Sequence, residues 1–315
     1  MQKTSLSRRS LLTASAGLTI AALSARIAFS QGAPIRIAVG SDPVFAAFFV
    51  AANEKLFEAE NVAVDVQTYT DGGEAMNALV AGQVDMACAS EPTSILRLPR
   101  AELRPLAVVY ESGTYTKLVV HSDINDAKQI KKLGVVMGSI SEYATRLTIA
   151  KLGLDEAVIE FVPSGPPELP ALLARGDIDG YFVWEPWPAL GVQQGGKIML
   201  NSADVGYLST QWLTASAALL DSRKGDCEAV LRGLAKGAEI VRNDPERAAR
   251  AIKAETGIPE ATSLQAMQDY TAVVRDFTPA DLESYDRMAQ FLADSKVTDG
   301  VVPYRNDMQT GFFKG

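Results

Sequence analysis

The stretch EAMNALVAGQVDMACASEP at residues 74–92 and the stretch ELPALLARGDIDGYFVWEP at residues 168–186 fit one pattern, E-x4-L-x2-G-x-[VI]-D-x5-E-P, 94 residues apart. Glu74, Leu79, Gly82, Val84, Asp85, Glu91 and Pro92 fill it first, and Glu168, Leu173, Gly176, Ile178, Asp179, Glu185 and Pro186 fill it again. Each copy reads as a helix, a glycine turn and a buried strand ending in a Glu-Pro step, which is part of a parallel α/β unit. Seven matches in one frame predict two copies of a single architecture.

The repeat extends upstream, where Gly40-Ser41 follows a strand signal at residues 35–39 and Gly138-Ser139 follows another at 133–137, 98 residues on. Helix signals at 45–59, 74–81, 142–151 and 168–174 alternate with strand signals at 62–66, 85–89, 106–110, 158–162 and 180–183. After Thr210 comes one apolar run, 213–220, then helical patterns at 227–243, 245–256, 261–275 and 279–295, with Asp244 and Thr278 as N-caps before prolines. The expected fold is α/β: two doubly wound lobes joined by two crossover strands, near residues 115–117 and 211–214, with the helical tail packing on lobe 1. Lobe 1 takes residues 31–116 and 213–315, and lobe 2 takes 117–212.

Residues 1–30 carry Lys3, Arg8, Arg9 and Arg26, no acidic residue and a mild apolar run, the layout of a signal peptide cleaved before Gln31. Ser7-Arg8-Arg9-Ser10-Leu11-Leu12 has the form of a twin-arginine signal, so a periplasmic location is expected. Thirty basic against 38 acidic residues leave a net charge of −8, which argues against nucleic acid as a partner. His121 is the single histidine, and Cys88 and Cys227 are the only cysteines, either paired as a disulfide in an export compartment or, more plainly, two buried free thiols. That supply is too poor for a zinc site or an imidazole-activated nucleophile, so no cofactor and no enzymatic activity are expected.

Ligands of open α/β sheets sit beyond the carboxyl ends of the strands, where helix N-termini present free N–H groups. Four segments meet that description: 40–43, 90–92, 138–141 and 184–187. Ser139 and Ser141, before the helix that carries Tyr143, suit either an oxyanion or a plain N-cap. Trp184 offers a ring to stack on, and Glu185 an acceptor for an amine or a helix cap. Ser41, Asp42, Phe45, Ser90, Glu91 and the hinge residue Tyr115 complete the candidate set, while Lys117 reads as a solvated charge and Trp187 as core.

The run from Ser41 to Ala51, the segment Leu79 to Ala87, the Gly138-Ser139 turn and Gly176-Asp177-Ile178-Asp179 leading to Trp184-Glu185-Pro186-Trp187 resemble the nitrate/sulfonate/taurine-type solute-binding proteins of ABC importers. The resemblance implies a type II periplasmic binding protein, a monomer that clamps a small organic anion or zwitterion and delivers it to a membrane permease. By motif position it singles out Ser41, Phe45, Ser90, Ser139 and Trp184 as contacts. An organic sulfonate or aminosulfonate is the expected solute. An aromatic acid or a thiamin pyrimidine precursor is the alternative, and an enzyme resembling the pyrimidine-precursor synthases is a more distant one.

Overall fold

The computed structural model describes residues 32–314; the expected signal peptide lies outside the described residues. Residues from Pro34 onward form one compact unit. Its first half runs β1 (Ile35–Gly40), a 3-10 turn (Pro43–Phe45), α1 (Ala46–Asn53), α2 (Leu56–Ala59), β2 (Val64–Tyr69), α3 (Gly72–Val80), β3 (Met86–Ser90), α4 (Glu91–Ile95) and β4 (Leu103–Ser112). The second is β5 (Thr116–His121), β6 (Lys132–Val135), α5 (Ile140–Lys151), β7 (Glu160–Pro163), α6 (Leu169–Ala174), β8 (Gly180–Trp184), α7 (Trp187–Gln193) and β9 (Gly196–Asn201). The chain then returns through β10 (Ser209–Ser216) and ends in α8 (Ala217–Asn243), α9 (Pro245–Thr256), α10 (Glu260–Met267), β11 (Thr271–Arg275) and α11 (Pro279–Asp294).

The first sheet has the order β2-β1-β3-β10-β4-β11 and the second β7-β6-β8-β5-β9. Apart from β11 the two orders are the same, and in each the strand arriving from the other half lies antiparallel to the strand ending in Glu-Pro. The repeated residues explain why. Leu79 and Leu173, and Val84 and Ile178, are buried at equivalent places. Gly82 and Gly176 turn the chain with φ of 69° and 72°, a left-handed conformation that favours glycine. The Asp85 carboxylate accepts from Arg36 N at 2.9 Å, and Asp179 accepts from Lys131 N and Lys132 N at 2.7 and 2.8 Å, so each aspartate pins the start of the neighbouring parallel strand.

The chain passes between sheets at residues 113–115 and 202–208. The second passage comes earlier than expected because β10 already pairs with β4 at Ser209. Along β5 the side chains alternate: Leu118 and Val120 join a small core with Leu133, Ala144 and Phe182, while Val119 faces the large core that continues into the first half. Both cysteines are free and buried.

Two expected elements differ. The helix predicted for residues 45–59 breaks at Lys55, which takes φ 56°. The helix predicted for 261–275 is α10 followed by β11, because the β-branched run after Tyr270 completes the edge of the first sheet beside β4. Asp244 and Thr278 do cap their helices, accepting from Arg247 N and Asp281 N.

The tail docks on α1 and α2. Arg247 pairs with Glu54, and Arg232 and Lys236 with Glu60. At the centre of this contact a Cβ at Gly237 would collide with the Ala47 carbonyl oxygen, so the two helices meet backbone to backbone. Gly237→Ala is expected to lower stability by about 2–3 kcal/mol through overpacking. Gly225→Ala in the same helix, with open space around it, is expected to be neutral or mildly stabilising. Urea unfolding of both variants checks this, and equal losses would refute the close-packing account.

Candidate functional site

The carboxyl ends of β1, β3 and β8 and the starts of α3, α4 and α5 converge on one cavity of about 30 Å³ between the two sheets. Asp42, Phe45, Ser90, Tyr115, Ser139 and Trp184 line it, as the sequence led us to expect, together with Gly72, Gly73, Thr93, Tyr110, Thr116, Thr210 and Gln211, which it did not. The space is small enough that any solute beyond a few heavy atoms requires the walls to part.

Several donors of the lining residues are left without partners. Asp71 caps α3 by accepting from Glu74 N at 2.9 Å, which leaves the Gly72 and Gly73 amides at the positive end of the helix without an intrahelical partner. Trp184 Nε1, the Tyr115 hydroxyl and Thr116 Oγ1 are buried without a hydrogen-bond partner. Burial holds the Tyr115 phenol well above its usual range, so it stays a protonated donor. Tyr115 is fixed edge-on against Tyr110 and Tyr270, at centroid distances of 5.8 and 5.4 Å, and Tyr270 donates to the Pro43 carbonyl at 2.8 Å.

Among these donors sits one carboxylate. Asp42 is 4% exposed, and burial, reinforced by nearby Asp71, pushes its carboxyl well above the usual range. The Trp184 indole is near enough to favour the charged form of Asp42 but forms no hydrogen bond of proper geometry with it. Among the described residues no lysine, arginine or histidine lines the cavity. Negative charge on a solute would therefore be met by amide and hydroxyl dipoles, and positive charge by Asp42.

Five candidate residues do not line the cavity, because buried amides and strand ends claim them. Ser41 Oγ donates to the Thr70 carbonyl at 3.1 Å. Glu91 Oε1 accepts from Thr210 N and the Tyr207 hydroxyl, each at 3.0 Å. Ser141 Oγ accepts from Val136 N at 3.1 Å, and Tyr143 packs edge-on against Tyr207 and Phe291. Glu185 accepts from Ala189 N at 3.2 Å and from Lys117 Nζ at 2.5 Å. Ser139, although at the cavity, is engaged as the N-cap of α5: its Oγ accepts from Ser141 N and donates to the Val136 carbonyl. Lys117 is not a solvated charge. Burial opposes its ionisation, but Asp269 and Glu185, at 2.6 and 2.5 Å, hold its pKa above the ordinary value and tie β5 to the C-terminal region.

The NMT1-like family profile matches residues 33–256. The chain belongs to the NMT1-like family. Among curated relatives of this NMT1-like chain, the taurine-binding periplasmic protein of Escherichia coli (strain K12) is 27% identical over 198 residues, 62% of this chain and 60% of that protein. The match thus spans about three-fifths of the relative's length. The structure of the alkanesulfonate-binding protein SsuA from Xanthomonas axonopodis pv. citri bound to MOPS superposes with a TM-score of 0.78 at 16% identity, over 89% of this chain and 99% of that one. The desulfurization enzyme DSZB superposes with a TM-score of 0.65, also at 16% identity, over 89% and 97%. At such identities these structures share the fold of the NMT1-like chain, that of periplasmic binding proteins, and carry no argument about its solute. Among the described residues no helix is long and apolar enough to cross a membrane.

Proposed function

We propose that this protein is the exported solute-binding component of an ABC importer and that it clamps a small aminosulfonate between its two lobes. One observation carries the choice of solute. The cavity sets a single buried carboxylate, Asp42, among unpaired amide, indole and hydroxyl donors and contains no cation. An ammonium group satisfies Asp42, and a sulfonate accepts from the Gly72 and Gly73 amides and from Tyr115, Thr116 and Trp184. The taurine-binding relative supports the same class. Walls come from both halves, so the solute is enclosed when they close and released when they part at residues 113–115 and 202–208. The closed monomer then presents itself to a permease, and the proposal assigns it no reaction.

Thermal melting of the chain from Gln31 onward tests this against taurine, ethanesulfonate, nitrate, an aromatic carboxylate and an aminopyrimidine. Taurine at a hundred times its dissociation constant is expected to raise the midpoint by about 5–10 °C, the equivalent of about 2.7 kcal/mol. A shift from nitrate or a ring compound with none from any sulfonate would overturn the assignment, as would sulfite released from taurine. Trp184→Phe removes the indole N–H but keeps a ring, and is expected to weaken taurine binding about tenfold or more by calorimetry. An unchanged affinity would remove Trp184 from the contacts.

A further inference from the structure

A second concavity, about 520 Å³, lies between the halves behind Gly73 and Ser139. Arg97 separates it from the solute cavity: its Nη1 donates across the halves to the Gly138 carbonyl at 2.7 Å, and a Cβ at Gly73 would sit 3.3 Å from its Nη2. Arg100 and Lys296 line the groove on the side of the first sheet, Arg146 and the exposed side chain of Met137 on the other.

We propose that this groove binds a small inorganic oxyanion, sulfate or phosphate, which bridges the cations of the two halves. Four positive side chains face it, with Glu142 the single acid in its lining. Glu142 is already engaged, accepting from Arg146 and from Gly138 N at 2.8 Å, and Arg146 also pairs with Glu156, which lies outside the lining. Among the described residues no carboxylate forms an ion pair with Arg97, Arg100 or Lys296.

Arg97 is the more telling of these. It is 8% exposed, yet all its hydrogen bonds go to neutral acceptors, the Asn77 amide oxygen and the Thr93 and Gly138 carbonyls. Burial and the nearby Arg100 both work against its charge. The Asp71 carboxylate offsets this only from a distance, without an ion pair, and a tetrahedral dianion in the groove adds a closer counter-charge with acceptors for several N–H groups at once. The chain carries a net −8, so this concentration of cations runs against its overall charge. An anion held here joins Arg100 and Lys296 to Arg146 and favours the halves together.

The site does not rest on the identity of the solute. The test titrates sodium sulfate against the full exported chain, with sodium chloride at matched ionic strength as reference. The readouts are the ¹³C-methyl resonance of Met137 and the melting midpoint. A saturable Met137 shift and a gain of a few degrees over chloride are expected, and both should vanish in the double variant R100E/K296E, whose exposed positions leave the solute cavity intact. Equal responses to chloride and sulfate reduce the effect to screening and overturn the site. A sulfate response that persists in the double variant places the anion elsewhere and also overturns it. A failed taurine titration, by contrast, would count against the solute alone.

Discussion

Asp42→Asn is expected to produce a protein that is more stable without solute and nearly blind to taurine. Burial raises the Asp42 pKa, so the stability this group contributes is full at low pH and is lost as pH rises through its folded-state value. Asparagine cannot ionise, and the variant should melt above the wild type at pH 8, with the gap closing toward pH 4. Taurine loses the counter-charge of its ammonium, a change of about 2 kcal/mol or more and hence at least ~30-fold in affinity. Ethanesulfonate, which has no ammonium, should bind the variant better than it binds the wild type above neutral pH. In the wild type, taurine affinity should rise with pH as Asp42 ionises. Calorimetry with both ligands at pH 5 and pH 8 checks each expectation, and parallel losses for the two ligands would show that Asp42 only shapes the cavity.

The second large effect concerns Glu91, which is fully buried beside Tyr207 and Thr210, with its Oε2 lacking a partner. Burial lifts its pKa from the ordinary 4.5 to about 8 despite those two donors. The folded protein therefore prefers the neutral acid. Its contribution is fully present below about 4.5, falls as pH rises toward about 8, and is level above that. The difference between the ends of the window is about 3–5 kcal/mol. Glu91→Gln keeps an acceptor for Thr210 N and Tyr207 and cannot ionise. It should match the wild type near pH 4.5 and exceed it by at least ~5 °C in melting midpoint at pH 9. Curves that stay parallel from pH 5 to pH 9 would show that Glu91 is not neutral in the fold.

The repeat made the fold legible because each of its positions carries a structural duty: Leu79 and Leu173 in the core, Gly82 and Gly176 at left-handed turns, Asp85 and Asp179 on the amides of a neighbouring strand. The same regularity says less about the site. Glu91 and Glu185 stand out in the pattern, and of the two readings open to each, ligand contact or helix cap, their hydrogen bonds to buried N–H groups and a lysine fit the second. Ser141 and Tyr143, at the same helix start, serve a backbone amide and an aromatic contact. Most of the missed residues come from two sources. Gly72 and Gly73 offer only backbone, which composition does not reveal. Thr116, Thr210 and Gln211 belong to the strands that cross between sheets, and polar residues at the ends of otherwise apolar strands were the available signal. Strand β11 escaped because Thr271 to Arg275 follows helix-like sequence and becomes a strand only through its pairing with β4.

The way β10 inserts between β3 and β4 fixes an order of assembly. The second sheet draws all five strands from one uninterrupted run, Thr116 to Asn201, and can close as soon as that run has left the ribosome. The first cannot. Its β3 and β4 are synthesised early but have no direct pairing, and the strand that joins them arrives about a hundred residues later. Until then the older half holds β4 with neither edge paired and β3 with one edge open, beside apolar surface, the kind of intermediate that aggregates. A nascent chain halted just before Ser209 is therefore the species that a chaperone has to shield.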